Sequence, residues 1–192
     1  MSSHTVNLVD LSNYRSYLQV LARTHLPTRL AGKCDPSDIV QQTLLNAHAA
    51  REQFVGQSEA ERMVWLRKIL VRNVAHATRD LHAKKRDIRR EKSIEAALDN
   101  SAMQLGGFLA AHQSSPSQQA VRHESARRIA DAIERLPELQ RQAIMLKFWE
   151  GMSLQQMAEA MGKSIPAAAG ILHRATKKLR GLVDVAMRTD AS

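Results

Sequence analysis

SLQQMAEAMGKSIPAAAGILHRATKKLR, Ser153 to Arg180, reads as two helices either side of a glycine. Ser153, with Gln156 three residues on, forms a capping-box pattern in which each side chain reaches the other residue's backbone N–H. Leu154, Met157, Ala158 and Met161 then recur at helical spacing and make an inner face. Gly162 stops that helix, because glycine takes the left-handed conformation of a helix end without steric cost. Beyond it Ile165, Ala168, Leu172, Ala175 and Leu179 repeat at spacings of 3, 4, 3 and 4, which predicts a second helix with one buried seam. His173, Arg174, Lys177, Lys178 and Arg180 fall on its other side. Helix, glycine turn and basic helix make the helix-turn-helix geometry, whose second helix enters the DNA major groove. Any helical hairpin can share this outline, so the motif alone leaves simple packing open.

Charge points the same way. Of the chain's formal net charge of +9, the window Arg62–Lys92 carries +8, with eleven Lys/Arg against three Asp/Glu. Lys163–Arg188 carries +5, so the remainder stands at −4. A mildly acidic body with two separate cationic surfaces is the footprint of a chain that grips nucleic acid at two places. One basic helix by itself would be a well-solvated face.

A length of 192 residues suits one domain or two small ones. Only 4% of residues are aromatic, and Ala, Leu, Gln, Arg, Glu and Met dominate, so the expected class is all-α. Cys34 is the sole cysteine, which excludes an internal disulfide and a thiolate metal cluster and fits a reducing cytoplasm. The start, MSSHTVNLVDLSNY, lacks the basic-then-apolar run of a signal peptide, and no stretch approaches a membrane span.

Upstream, Tyr14, Leu18 and Leu21 predict a helix ending near Pro27. Asp35-Pro36 reads as an N-cap with proline in the first turn, opening a helix with Ile39, Val40, Leu44 and Leu45 on one face. Phe54-Val55-Gly56-Gln57-Ser58 predicts a loop. A long helix is expected from about Ala60, with Leu66, Ile69, Leu70, Ala77 and Leu81 inward. From Asp99 to Gln119 charge nearly vanishes, and Gly106-Gly107 and Ser114-Ser115-Pro116-Ser117 read as a linker with room for one short helix. Helical signal returns near Arg122, with Ile129, Ile133 and Leu136 in a stripe and Leu136-Pro137-Glu138 as a break and restart.

In this order the pieces resemble a bacterial sigma factor of the extracytoplasmic-function (ECF, group IV) type, the smallest members of the main sigma family. The resemblance spans nearly the whole chain apart from its first dozen and last few residues. It implies a first module over 10–95 (sigma region 2), a flexible linker over 96–121, and a helix-turn-helix module over 122–186 (sigma region 4). DPSDIVQQTLLNAHAAREQF (Asp35–Phe54) is similar to the family's helix that docks on the β′ clamp of core RNA polymerase, with Asp35, Asp38, Gln41 and Gln42 as contacts. A solvated helix face would have the same composition.

FVGQSEAERMVWLRKILVRNVAHATRDLHAKKRDIRRE (Phe54–Glu91) resembles the stretch that melts and reads the −10 element. An exposed loop can take a base flipped out of the duplex, while nearby cations hold phosphates and an aromatic ring offers a stacking surface. The resemblance puts that pocket at Phe54, Gly56, Gln57 and Ser58, flanked by Arg62, Lys68, Arg72, Asn73 and Arg79. The family's asparagine falls on Asn73 or, without a gap, on Arg72. Trp65 is expected in the core.

Leu136–Arg180 resembles region 4, which binds the −35 element and, in the family, the β flap. Its readers would be Ser164, Pro166, Ala167, Gly170, Ile171, His173, Arg174, Lys177 and Lys178. The family's Gly-Thr-Val-basic-Ser-Arg pattern is replaced here by Pro166, Ala167, Ala168, Ala169, Gly170 and Ile171. That Ala-rich form, with AKKRDIRRE (Ala83–Glu91) and the Ser-Ser-Pro-Ser linker, looks like a planctomycete-like subgroup. Ala and Ile can touch a thymine methyl but make no bidentate bonds to bases, so hydrogen-bonded readout falls to Arg174 and His173. Backbone amides near Ser164 are placed to hold a phosphate.

The expected partners are therefore core RNA polymerase and promoter DNA, with no membrane, cofactor, metal or small-molecule substrate. The family is often held inactive by an anti-sigma factor, though no residue here identifies one. The competing reading is a stand-alone helix-turn-helix regulator, for which the first module would have no evident use. Catalysis is not expected: no His-x-x-x-His pair, phosphate loop or Gly-x-Ser-x-Gly elbow occurs, and His76, His82 and His112 sit alone.

Overall fold

Helices make up all regular structure among the residues described, which are 9–26, 35–56, 58–79, 88–110 and 119–189 of the computed structural model. In chain order they are α1 (Val9–Ser12), α2 (Arg15–His25), α3 (Pro36–Ala49), α4 (Glu59–Arg79), α5 (Ile88–Ala110), α6 (Gln119–Glu134), α7 (Glu138–Phe148), α8 (Leu154–Ala160) and α9 (Ile165–Thr189). The all-α expectation is met, and several helix ends follow from the residues that cap them.

Asp35 caps α3: its carboxylate accepts from the Ser37 amide at 2.8 Å, and Pro36 fills a first-turn position that has no donor to satisfy. The box at α8 closes as its sequence predicts. Ser153 Oγ accepts from the Gln156 amide at 3.3 Å, and the Ser153 amide donates to Gln156 Oε1 at 2.9 Å. Gly162 sits at φ 60°, and the Lys163 amide reaches back to the Ala158 carbonyl at 2.9 Å, a Schellman end to α8. At α4, Ser58-x-x-Glu61 is a second box, with the Ser58 amide donating to Glu61 Oε2 at 3.0 Å and the Glu61 amide to Ser58 Oγ at 3.2 Å.

The core runs through both halves of the chain. Tyr17, Leu18 and Leu21 of α2, Val40 of α3, Leu66 and Leu70 of α4, Leu98 of α5, Ile129 and Ile133 of α6, and Ala175 and Leu179 of α9 are buried in one cluster. Burying each larger aliphatic side chain contributes about 1.5–3 kcal/mol. A smaller cluster of Ala143, Leu146, Met157 and Met161 locks the helix-turn-helix internally. Tyr17, Arg67 and Asp99 add a polar pin: Arg67 Nη1 donates to the Tyr17 hydroxyl at 3.0 Å, and Arg67 Nε to Asp99 Oδ1 at 2.9 Å. Burial pushes the Tyr17 pKa up, with the Arg67 guanidinium pulling the other way.

Three expectations are corrected. A helix occupies the first part of the expected 96–121 linker: α5 continues to Ala110, and Leu98 and Ser101 are buried. The composition shift masked Ile94, Leu98, Ser101 and Ala102, which share one helical face. Leu45 is 54% exposed and Ile165 is 49% exposed, so each lies outside the seam assigned to it. Both stand at the margin of an apolar stripe narrower than their helices' apolar content. Leu81, Gln57 and residues 111–118 lie outside the described residues.

Candidate nucleic-acid and polymerase interfaces

Along α9 the seam is buried at Ala168, Ala175, Leu179 and Val183, with Leu172 half-buried, and this fixes what the other side shows. His173, Arg174, Lys177, Lys178 and Arg180 are all exposed, as are Ser164, Pro166 and Ala167 at the helix start. Gly170 and Ile171 are half-buried, and Ile171 packs on the small cluster. The Arg174 guanidinium lies back along its own helix, with Nη1 3.4 Å from where a Cβ on Gly170 would stand. Ser164 Oγ is already engaged by the Ala167 amide at 3.4 Å, which leaves the other first-turn amides to meet a phosphate.

The loop before α4 is built around one ring. Phe54 packs on Trp65 with centroids 5.0 Å apart and planes tilted by 37°, and Arg62 Cζ lies 5.9 Å from the Phe54 centroid. Gly56 is required by this contact, because a Cβ there would run into the Phe54 ring and approach Glu61 Cβ to 2.9 Å. Val55, beside it, is 90% exposed. Phe54 is thus half-buried and partly committed to Trp65, and Trp65 itself packs against the core as expected. Ser58 serves as the α4 cap.

Asn73 departs most from expectation. Its amide donates to Thr43 Oγ1 at 3.0 Å, while its carbonyl oxygen accepts from Asn46 Nδ2 at 3.0 Å. Both polar ends are spent joining α4 to α3, whereas Arg72, Lys68 and His76 are exposed. Arg79 closes α4, and its side chain lies outside the described residues.

On α3, Asp38, Gln41 and Gln42 form an exposed polar face. Gln42 Nε2 donates to Asn46 Oδ1 at 2.9 Å, and Gln41 Oε1 accepts from Arg15 Nη1 at 3.5 Å. Asp35 is exposed too, but its carboxylate works as the helix cap.

Residues 126–179, from α6 into α9, match the family model for sigma-70, region 4. Over 179 residues the chain is 27% identical to RNA polymerase sigma factor CnrH of Cupriavidus metallidurans, covering 90% of this chain and 88% of that protein. It is also 27% identical over 162 residues to the ECF RNA polymerase sigma-E factor of Haemophilus influenzae, covering 84% and 82%. Both the matched family model and these two relatives are of sigma factors.

The matched region 4 contains the whole capped hairpin and the cationic side of α9 through Lys178, so the similarity and the geometry coincide on one surface. Similarity to these two sigma factors extends well beyond the hairpin into the first module, which a stand-alone helix-turn-helix regulator does not predict. Among the described residues, no group of three or more His, Cys, Asp or Glu is arranged to hold a metal, and no helix is long and apolar enough to cross a membrane.

Proposed function

We propose that this chain is a sigma factor of the ECF type, which uses α9 to engage the −35 element, the Phe54–Ser58 loop with α4 to open and read the −10 element, and α3 to dock on the polymerase clamp. On this reading its partners are core RNA polymerase and promoter DNA and it directs promoter-specific initiation, which the similarity to two RNA polymerase sigma factors supports. The observation that carries the site assignment is the division of α9 into a buried Ala168/Ala175/Leu179 seam and an exposed His173/Arg174/Lys177/Lys178 face inside the region 4 match.

Cations on that face hold phosphates and set register, and Arg174 and His173 supply the hydrogen-bonded base contacts. In the first module Arg72 is a more accessible reader than Asn73, and Arg62 and Lys68 line the path of the displaced strand. Asp38, Gln41 and Gln42 make the docking face on α3. A first module that extends through α5, a second over 122–186, the planctomycete-like subgroup, a cytoplasmic location and control by an anti-sigma factor belong to the same reading. The test is promoter binding with and without core enzyme, followed by anisotropy of a labelled duplex. Weak binding of the free chain and tight, specific binding of the reconstituted complex is expected. Tight specific binding by the free chain would favour a stand-alone regulator.

A further inference from the structure

Arg174 is exposed, yet its guanidinium does not stand straight out from α9. It lies back over Gly170, one turn nearer the helix start. A Cβ built on Gly170 would stand 3.4 Å from Nη1 and 3.9 Å from both Cζ and Nη2, so the nearest atoms it met would all belong to Arg174. The direction is the natural one, because helical side chains tilt towards the N-terminus and stack on the residue four positions back. What is particular is the missing side chain beneath. A Cβ alone would meet Arg174 at ordinary contact distance, but a longer side chain would compete for the guanidinium's place.

Ala167, Gly170, Arg174 and Lys177 follow at spacings of 3, 4 and 3 on the side of α9 away from the Ala168/Ala175/Leu179 seam. Pro166, Ala167 and Gly170 carry no hydrogen-bonding side chain, so a base approaching the first turns meets only hydrocarbon until Arg174 folds back beside it. Position along the axis then sets which base pairs are read. Gly170 stands three residues from Ala167, about 4.5 Å along the helix and close to one base-pair step of about 3.4 Å. An Arg174 side chain standing straight out would act seven residues from Ala167, about 10.5 Å or about three steps away.

We infer that Gly170 is a positioning residue for base readout: its bare backbone seats the Arg174 guanidinium near Ala167, so that α9 reads a guanine through Arg174 and a thymine methyl through Ala167 on neighbouring base pairs. The planar fork of the guanidinium matches guanine O6 and N7, and an alanine methyl packs on the C5-methyl of thymine. Lys177 and Lys178 add phosphate contacts that choose no sequence. This rests on the reading of α9 as the helix that enters the major groove, which a sigma factor and a stand-alone regulator would share.

The experiment is selection of random duplexes by polymerase reconstituted with the full chain, followed by base analogues in the selected −35 element. A guanine and a thymine on adjacent pairs are expected. 7-Deazaguanine, which lacks N7, should weaken binding about tenfold, and deoxyuridine, which lacks only the methyl, should weaken it several-fold. R174A and G170L should each lose the preference for guanine over 7-deazaguanine, and G170L/R174A should lose no more than R174A alone. Leucine favours a helix over glycine, so thermal unfolding of G170L at or above the wild-type temperature separates displacement of Arg174 from loss of fold. Should G170L unfold earlier, the spacing of the selected bases still decides. A guanine and thymine about three pairs apart, an element lacking either base, or a guanine preference that survives R174A or a folded G170L would overturn the inference. If the chain binds no polymerase the sigma reading fails, and the same selection with the free chain at low salt decides the inference, with no selected sequence counting against it.

Discussion

Asn73 Nδ2 donates to Thr43 Oγ1 at 3.0 Å, and Thr43 Oγ1 in turn donates to the Ile39 carbonyl at 2.7 Å, a relay that pins α4 to α3. Thr43 is fully buried. Asn73→Ala should therefore destabilise the chain by about 1–3 kcal/mol, the usual cost of stranding a buried polar group. The exposed Arg72→Ala should leave stability within about 0.5 kcal/mol but reduce promoter opening. Urea unfolding and permanganate footprinting of the open complex separate the two. The reverse pattern would return the reading role to Asn73.

At Gly56 the consequence is local. Gly56→Ala must push the Phe54 ring off Trp65 and forfeit an aromatic contact of about 0.5–1.5 kcal/mol. The chain has two tryptophans, so in a W149F background Trp65 fluorescence reports the displacement directly. An altered spectrum with weakened −10 recognition is the expected outcome.

On α9, Gly170→Ala and Arg174→Ala should act oppositely. An alanine at 170 meets Arg174 Nη1 at ordinary contact distance and removes a helix-interior glycine, which should add up to about 1 kcal/mol of stability. Arg174→Ala should leave stability alone and lose about 1–3 kcal/mol of promoter discrimination if it reads a base. Thermal unfolding and initiation from matched and mismatched −35 elements measure both.

His25 gives a pH dependence. Its ring lies 2.9 Å from Ser101 Oγ, and burial lowers its pKa from 6.5 to about 4. Since the folded value is depressed, the unfolded chain takes up the proton first as pH falls below 6.5. Stability should decline by at most about 1.4 kcal/mol per pH unit between roughly pH 6.5 and 4. His25→Gln should flatten that slope, as followed by urea midpoints from pH 7.5 to 5.

Much of this was legible where a residue's local chemistry decides its structure. Asp35-Pro36, Ser153 with Gln156, and Gly162 fix helix ends through their own bonds to neighbouring backbone, and each does so. The alternation of Ala168, Ala175 and Leu179 with His173, Arg174 and Lys178 likewise placed the cationic face of α9. What sequence spacing did not reveal depends on partners distant in the chain. Asn73 is polar, sits on a basic helix and could face either way; only Thr43 and Asn46 across the α3 interface turn it inward. Tyr17, Arg67 and Asp99 meet from three helices, so no local pattern announces them. In α5, low charge and two glycines resemble a linker and hide a four-residue apolar face.

Promoter-directed initiation tests the sigma assignment most directly. Core RNA polymerase reconstituted with the purified chain should be assayed by run-off transcription on a genomic promoter library, with the start sites mapped. New start sites preceded by two shared sequence boxes, and lost when His173, Arg174, Lys177 and Lys178 are replaced together by alanine, are the predicted result. No start sites beyond those of core enzyme alone, with polymerase binding absent, would contradict it.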